Sequence, residues 1–321
     1  MTNYKDLGKV QIVNVTSPKQ IKEKLDLYTM GKDDAKKILS LAISEHIKRT
    51  LYGLMIKKTN VLLLGATGCG KTHIITALKK VLDSLEIAHL TVDAQKFSEK
   101  NFANDLIENS NLQFKTAENA VVIIENLDRI TLNAKTSKKS EFKNSLQNNL
   151  AQIIEGKEIK TNKGILNTSN ILFIATGTFD SVDDKINNKL DNKLYDILTV
   201  EDLNEFGLNN YLMRKFQKVI AMPRLSKEDI IAILKQRDKN PVATYVRTFE
   251  QEGIEFLIEE DALDQIAERS IKNGIGVSGV YVTLTSLLTE FYFEIDDLKK
   301  VKSCIITKQT LDDGKVKIIY K

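Results

Sequence analysis

The chain has 321 residues, and 42% hydrophobic against 28% charged side chains is the make-up of a soluble globular protein with room for two domains. Its 47 Lys and Arg against 43 Asp and Glu leave a net charge of only +4, too even for the footprint of a nucleic-acid binder. Two cysteines cannot build a disulfide framework or a cysteine zinc site, no apolar run reaches the about 18 residues of a membrane span, and the start lacks the apolar stretch of a secretory signal, so a cytoplasmic location is expected.

The first elements follow from periodicity. Ala35, Ile38, Leu39, Ala42, Ile43 and Ile47 recur at helical spacing and predict an amphipathic helix over 33–50. Residues 60–64 are a short apolar run ending at a glycine, which suits a buried parallel strand, and a helix is predicted over 71–85. Further strands are expected at 87–92, 121–124 and 171–175, with a helix at 145–155. Strands separated by helices, too far apart for hairpins, imply a parallel α/β sheet. The polar stretches 131–144 and 157–170 read as long loops. The character changes near Pro223. Ser226 can cap a helix, 261–272 and 279–298 are helical patterns, and 301–307 with 315–320 suggest a terminal strand pair turning at Asp313-Gly314. The expected organisation is an extension over 1–17, a large α/β nucleotide-binding domain over 18–223 and a smaller, mainly helical domain over 224–321.

The strongest chemical signal is Gly65-Ala66-Thr67-Gly68-Cys69-Gly70-Lys71-Thr72, which fits GxxxxGK[ST] between a predicted strand and a predicted helix. Glycines let the backbone wrap phosphate oxygens with N–H groups, and the helix start adds its positive dipole end. Lys71 can neutralise the β- and γ-phosphates of ATP, and the Thr72 hydroxyl can ligate Mg²⁺. Cys69 sits where those N–H groups favour a thiolate. The strand over 121–124 runs into Glu125 and Asn126. An acid at that strand end, Glu125, can hold the magnesium shell. Asn126 keeps hydrogen-bonding capacity but cannot take a proton as a base.

With these pieces in order, the chain resembles the ClpX-type AAA+ protein unfoldases from about residue 18 to its end. Residues 17–31, with Tyr28 and Met30, are similar to the adenine-contacting segment of that family, and 123–130 to its acidic strand and tail. Residues 146–156 resemble the helix before its second pore loop, 170–179 its sensor-1 strand, and 201–208 the stretch before its arginine finger. The resemblance implies an AAA+ P-loop sheet domain followed by a small helical domain. It implies ATP and Mg²⁺ as cofactors, a homo-oligomeric ring that in the family is hexameric, and a polypeptide substrate; from composition and charge, neither a membrane nor nucleic acid is expected as a partner. It places Phe102 as the aromatic that grips a threaded chain, the other reading being a core phenylalanine on a helix face. It puts the finger at Arg214 or Lys215, the alternative being a solvated basic pair. Sensor 1 falls on Thr176 or Thr178, either of which also reads as an ordinary strand-end threonine.

The departures from the family pattern are informative. The family has Asp then Glu where this chain has Glu125 then Asn126. The sensor-2 arginine aligns with Gly274-Ile275-Gly276, which has no cation. Residues 179–200 lack the Ile-Gly-Phe loop that docks such rings on a ClpP-type peptidase, and the cysteine zinc domain is missing. Two functions are therefore expected: an ATP-driven remodeller with slow hydrolysis, or a hydrolysis-impaired nucleotide-binding assembly or switch protein.

Overall fold

The computed structural model describes residues 17–131, 137–179, 198, 200–235, 242–294 and 300–321. Helix α1 (Pro18–Asp26) opens with Pro18 in its first turn and a reciprocal capping box between Ser17 and Gln20. It packs on α2 (Asp33–Tyr52), whose buried Ala35, Ile38, Leu39, Ala42 and Ile43 are the stripe that the spacing predicts.

Strand β1 (Val61–Gly65) leads into α3 (Lys71–Ser84), β2 (His89–Asp93), α4 (Glu99–Asn109) and α5 (Phe114–Glu118). Then come β3 (Val121–Glu125), α6 (Ser137–Glu155), β4 (Glu158–Thr161), β5 (Gly164–Asn167) and β6 (Leu172–Thr178). Helices α7 (Val200–Glu205) and α8 (Asn210–Met213) precede β7 (Lys218–Met222). Five strands form one sheet in the order β2-β3-β6-β1-β7, and each pairing is parallel. The two-residue period of each strand sends alternate side chains to opposite faces. Val61, Leu63, Val121, Ile123, Leu172 and Ile174 join the core under α1, α2 and α3. Leu62, Leu64, Val122, Ile124, Phe173 and Ala175 join the core under α4 and α6.

Buried Asn60 clamps the base of the sheet. Its side-chain oxygen accepts from the Phe173 amide at 3.0 Å, its Nδ2 donates to the Lys215 carbonyl at 2.9 Å, and its own N–H donates to Gln217 at 2.8 Å. Nearby, buried His46 donates from Nε2 to the Asn119 carbonyl at 2.8 Å and accepts the Arg49 guanidinium at Nδ1, 2.9 Å away; the tautomer follows from these two partners. Burial pushes the His46 pKa down to about 4, with the Arg49 and Lys58 charges adding to it and the Asn119 bond opposing it.

The C-terminal part has its own core, drawn from residues between Ile230 and Leu311. It comprises α9 (Lys227–Leu234), α10 (Ala243–Gln251), β8 (Glu255–Ile258), α11 (Glu260–Lys272), α12 (Val277–Glu294), β9 (Val301–Ile306), α13 (Lys308–Asp313) and β10 (Lys317–Tyr320). Its sheet has the order β10-β9-β8, with β9 and β10 antiparallel as the terminal pair requires. No helix among the described residues is long and apolar enough to cross a membrane.

Three expectations are corrected. Residues 157–170 are not a loop: β4 and β5 pair as an antiparallel hairpin, with Ile159 and Leu166 turned into the core. Helix α6 begins at Ser137, so most of the polar stretch 131–144 is helical, while 132–136 lie outside the described residues. Asp313-Gly314 is not a hairpin turn. Thr307 and Thr310 cap α13 reciprocally, and Gly314, in the left-handed region at φ 75°, ends that helix.

Candidate functional site

The C-terminal ends of β1 and β6 meet at a register pair of Gly65 and Thr178, and the glycine-rich loop leaves from there. Gly68 and Gly70 take left-handed backbone angles, φ 80° and 99°, which coil the loop and leave the first turn of α3 without a side-chain cap. The N–H groups of that turn are thus offered to an anion, and the helix dipole adds to the attraction. Lys71 folds back across the loop, its Nζ donating to the Gly65 and Ala66 carbonyls at 2.7 and 2.9 Å and lying 3.6 Å from Cys69 Sγ. Cys69 itself is fully buried, which shields its sulfur from solvent-borne oxidants.

A cavity of about 410 Å³ lies over the loop, within the range of roughly 300–1,000 Å³ usual for small-molecule sites. The loop and Lys71, Thr72 and Thr178 form its floor; Tyr28, Thr29, Met30 and Lys32 form one wall, and Leu225, Ile233, Ile275, Val277 and Tyr281 of the C-terminal part form the other. Among the described residues its lining carries two lysines and no carboxylate, with apolar and aromatic side chains away from the loop. An anionic phosphate tail and a flat base suit these two ends. Tyr28 is further fixed by the Lys80 ammonium, 5.1 Å from its ring centre. ATP therefore fits the residues present. Thr72 reaches the cavity and could hold Mg²⁺, whereas Glu125 ends β3, two strands from β1, and is not part of the lining.

The C-terminal part meets the phosphate loop backbone to backbone at 275–276. A Cβ on Gly68 would sit 2.7 Å from the Ile275 carbonyl carbon, and one on Gly276 would overlap the Gly68 carbonyl oxygen. Gly276 is left-handed as well, at φ 54°. The turn at 274–276 thus supplies a close backbone contact to the loop. Arg224 Nη1 approaches this turn, 3.6 Å from the Cβ position of Gly274.

At the end of β3, Asn126 is left-handed, φ 60°, and its Nδ2 donates to Asp93 Oδ2 at 2.6 Å. Asp93 ends β2 in register with Glu125, and its other oxygen accepts the Gln95 amide at 2.9 Å. Burial works against the Asp93 charge, but Asn126, the Gln95 and Lys96 amides and Arg129 together hold its carboxyl below the ordinary carboxylate value. Asp128 accepts the Thr178 amide at 2.8 Å, so it ties the β3 tail to the end of β6.

Other sequence-derived candidates fall in different places. Thr178 lines the cavity, while Thr176 is buried inside β6. Phe102 is on α4, 2% exposed, with its ring 5.4 Å from that of Phe97 and 6.5 Å from that of Phe173. The expectation that it grips a substrate is overturned, because a ring packed in the core of the sheet domain has no free face. Lys215 pairs with Glu155 at 2.9 Å and lies over the Tyr211 ring, whereas Arg214 is exposed at the end of α8. Residues 180–197, where the peptidase-docking loop would fall, lie outside the described residues. Sequence reasoning missed Lys32, Asp93 and Gly276.

Residues 56–220 match the family described as AAA domain (Cdc48 subfamily). The chain is 29% identical to the ATP-dependent Clp protease ATP-binding subunit ClpX of Borrelia duttonii (strain Ly), over 92% of this chain and 78% of that protein. It is 28% identical to the protein of the same name from Treponema denticola, over 94% of this chain and 83% of the relative. For the Bacteroides thetaiotaomicron ClpX the figures are 25%, 96% and 83%.

Proposed function

The chain belongs to the AAA domain family (Cdc48 subfamily) as a divergent ClpX-type member, and from that premise we propose that it binds ATP with Mg²⁺ and uses it to remodel other polypeptides. The observation that carries this reading is the cavity itself: a left-handed glycine loop, uncapped helix amides and two lysines facing an apolar slot at the junction of residues 18–223 and 224–321. In this reading the loop amides and Lys71 hold the phosphates, and Tyr28 and Met30 flank the base. Thr72, with Glu125 behind it, serves the metal, which when bound offsets the phosphate charge.

The assembly is a homo-oligomeric ring, by analogy with the ClpX relatives a hexamer. Arg214 is the better finger of the basic pair, because Lys215 is already committed to Glu155 and Tyr211, whereas a guanidinium at an exposed helix end can reach a neighbour's phosphate. Thr178 is the polar group nearest to a sensor role, since it lines the cavity and its amide is held by Asp128.

The bond from Asn126 to Asp93 favours a second reading, in which hydrolysis is slow enough for nucleotide to act as a switch or assembly signal. Loss of one water-polarising base costs about 10²–10⁴-fold in rate. Calorimetric titration with ATP and Mg²⁺ tests the nucleotide assignment: uptake is expected, and Lys71→Ala should abolish it in a protein that stays folded. Absence of heat from the unaltered protein would sink the proposal. Steady-state phosphate release at saturating ATP then separates the two readings, undetectable turnover with tight binding leaving only the switch.

A further inference from the structure

The turn at 274–276 brings no cation to the phosphate loop, yet the cavity holds one besides Lys71. Lys32 lines it, with Cε 4.0 Å from where a Cβ on Gly70 would sit, so its stem lies over the start of α3. Its direction is set by an unusual backbone. Gly31 and Lys32 are both left-handed, φ 64° and 55°, and this kink just before α2 turns the lysine toward the loop. A left-handed conformation is disfavoured for a lysine, so the packing around it must hold the kink in place. Its Nζ donates to the Pro223 carbonyl at 2.9 Å, at the junction with the C-terminal part.

We propose that Lys32 is a second phosphate-binding cation, which moves its ammonium from the Pro223 carbonyl to a phosphate oxygen of a nucleoside di- or triphosphate held on the Gly70 and Lys71 amides. The inference rests on the reading of the cavity as a nucleotide site and deepens it. A neutral carbonyl is a weaker partner for an ammonium than a phosphate is, so the exchange is favourable once the anion is present. Among the described residues, the lining of the cavity includes no carboxylate. The same exchange would release a tie between the wall before α2 and the residue that leads into α9.

The test is titration calorimetry of the full chain with ADP and, separately, with adenosine. Lys32→Gln should weaken ADP by roughly tenfold or more, the worth of one charge-assisted hydrogen bond, and leave adenosine unchanged. Lys32→Met, which keeps the stem against Gly70, should show the same selective loss, and Lys32→Arg should restore most of the ADP affinity. Equal weakening of ADP and adenosine would overturn the proposal and make Lys32 a tether of Pro223 only, as would unchanged ADP affinity in both neutral variants. If the unaltered protein takes up neither ligand, the nucleotide reading fails and this inference with it, a result distinct from neutral variants that bind normally.

Discussion

Acidification should weaken the fold through His46, by an amount that its surroundings set. The imidazole is buried and neutral, its two nitrogens satisfied by the Asn119 carbonyl and the Arg49 guanidinium. Burial, with the Arg49 and Lys58 charges adding to it, takes the folded pKa from 6.5 down to about 4, and a proton added at Nδ1 would face Arg49 with no acceptor left. The unfolded chain therefore binds the proton first. Between about pH 6.5 and 4 the unfolded state holds more protons than the folded one, so stability falls as the pH falls through that window. With these two values the loss on going from about pH 7.5 to about pH 5 is about 2 kcal/mol. The assay is urea unfolding at both pH values, followed by a signal from the sheet domain, for the protein and for His46→Gln. Gln can still donate to Asn119 but does not titrate. Other groups contribute to both slopes, Lys58 among them with its pKa lowered to about 7, and they cancel in the difference. An equal pH dependence in the two proteins would refute the account of a buried neutral imidazole.

Phe102→Ala should destabilise the fold by about 3–5 kcal/mol, as a buried ring between Phe97 and Phe173 requires; chemical denaturation checks it, and unchanged stability would return Phe102 to the surface. Asn126→Glu should raise phosphate release by about 10²-fold, since a carboxylate there can act as a base and is repelled by Asp93 from the place that Asn126 now holds. Asp93→Asn in the same background should remove part of that gain by offering the new carboxylate a donor again, and a rate that ignores both changes would refute the pairing. Gly276→Ala should lower the melting temperature and weaken ATP binding, because its Cβ meets the Gly68 carbonyl; Gly314→Ala, also left-handed at φ 75° but with open space around it, gives the strain alone. Equal effects of these two on melting, with nucleotide affinity intact, would dismiss the contact.

The central strands and the phosphate loop were legible because fully buried parallel strands are unbroken apolar runs, and a glycine ends β1 where the loop leaves it. Strand β7 was not, since it opens on Lys218 and is defined by its place beside β1 rather than by its own pattern. The hairpin β4–β5 was hidden because Ile159 and Leu166 alone mark its inward face, the rest being polar or exposed. Phe102 was recoverable: Phe102, Ala103, Leu106 and Ile107 make a buried helical stripe, and this local periodicity outweighs an aligned position in a relative. Lys32, Asp93 and Gly276 could not be found along the chain, because each matters through a partner far away in sequence: Pro223, Asn126 and Gly68.

The abutment of Gly68 and Gly276 leaves no side chain between the glycine-rich loop and the helical lobe behind it. A long arginine in that place could swing and absorb a small displacement of the loop; two bare α-carbons cannot. A shift of the loop toward this turn would therefore meet the backbone just before α12 directly. Neither glycine can be exchanged for a larger residue unless the opposite wall retreats by about the width of a methyl group.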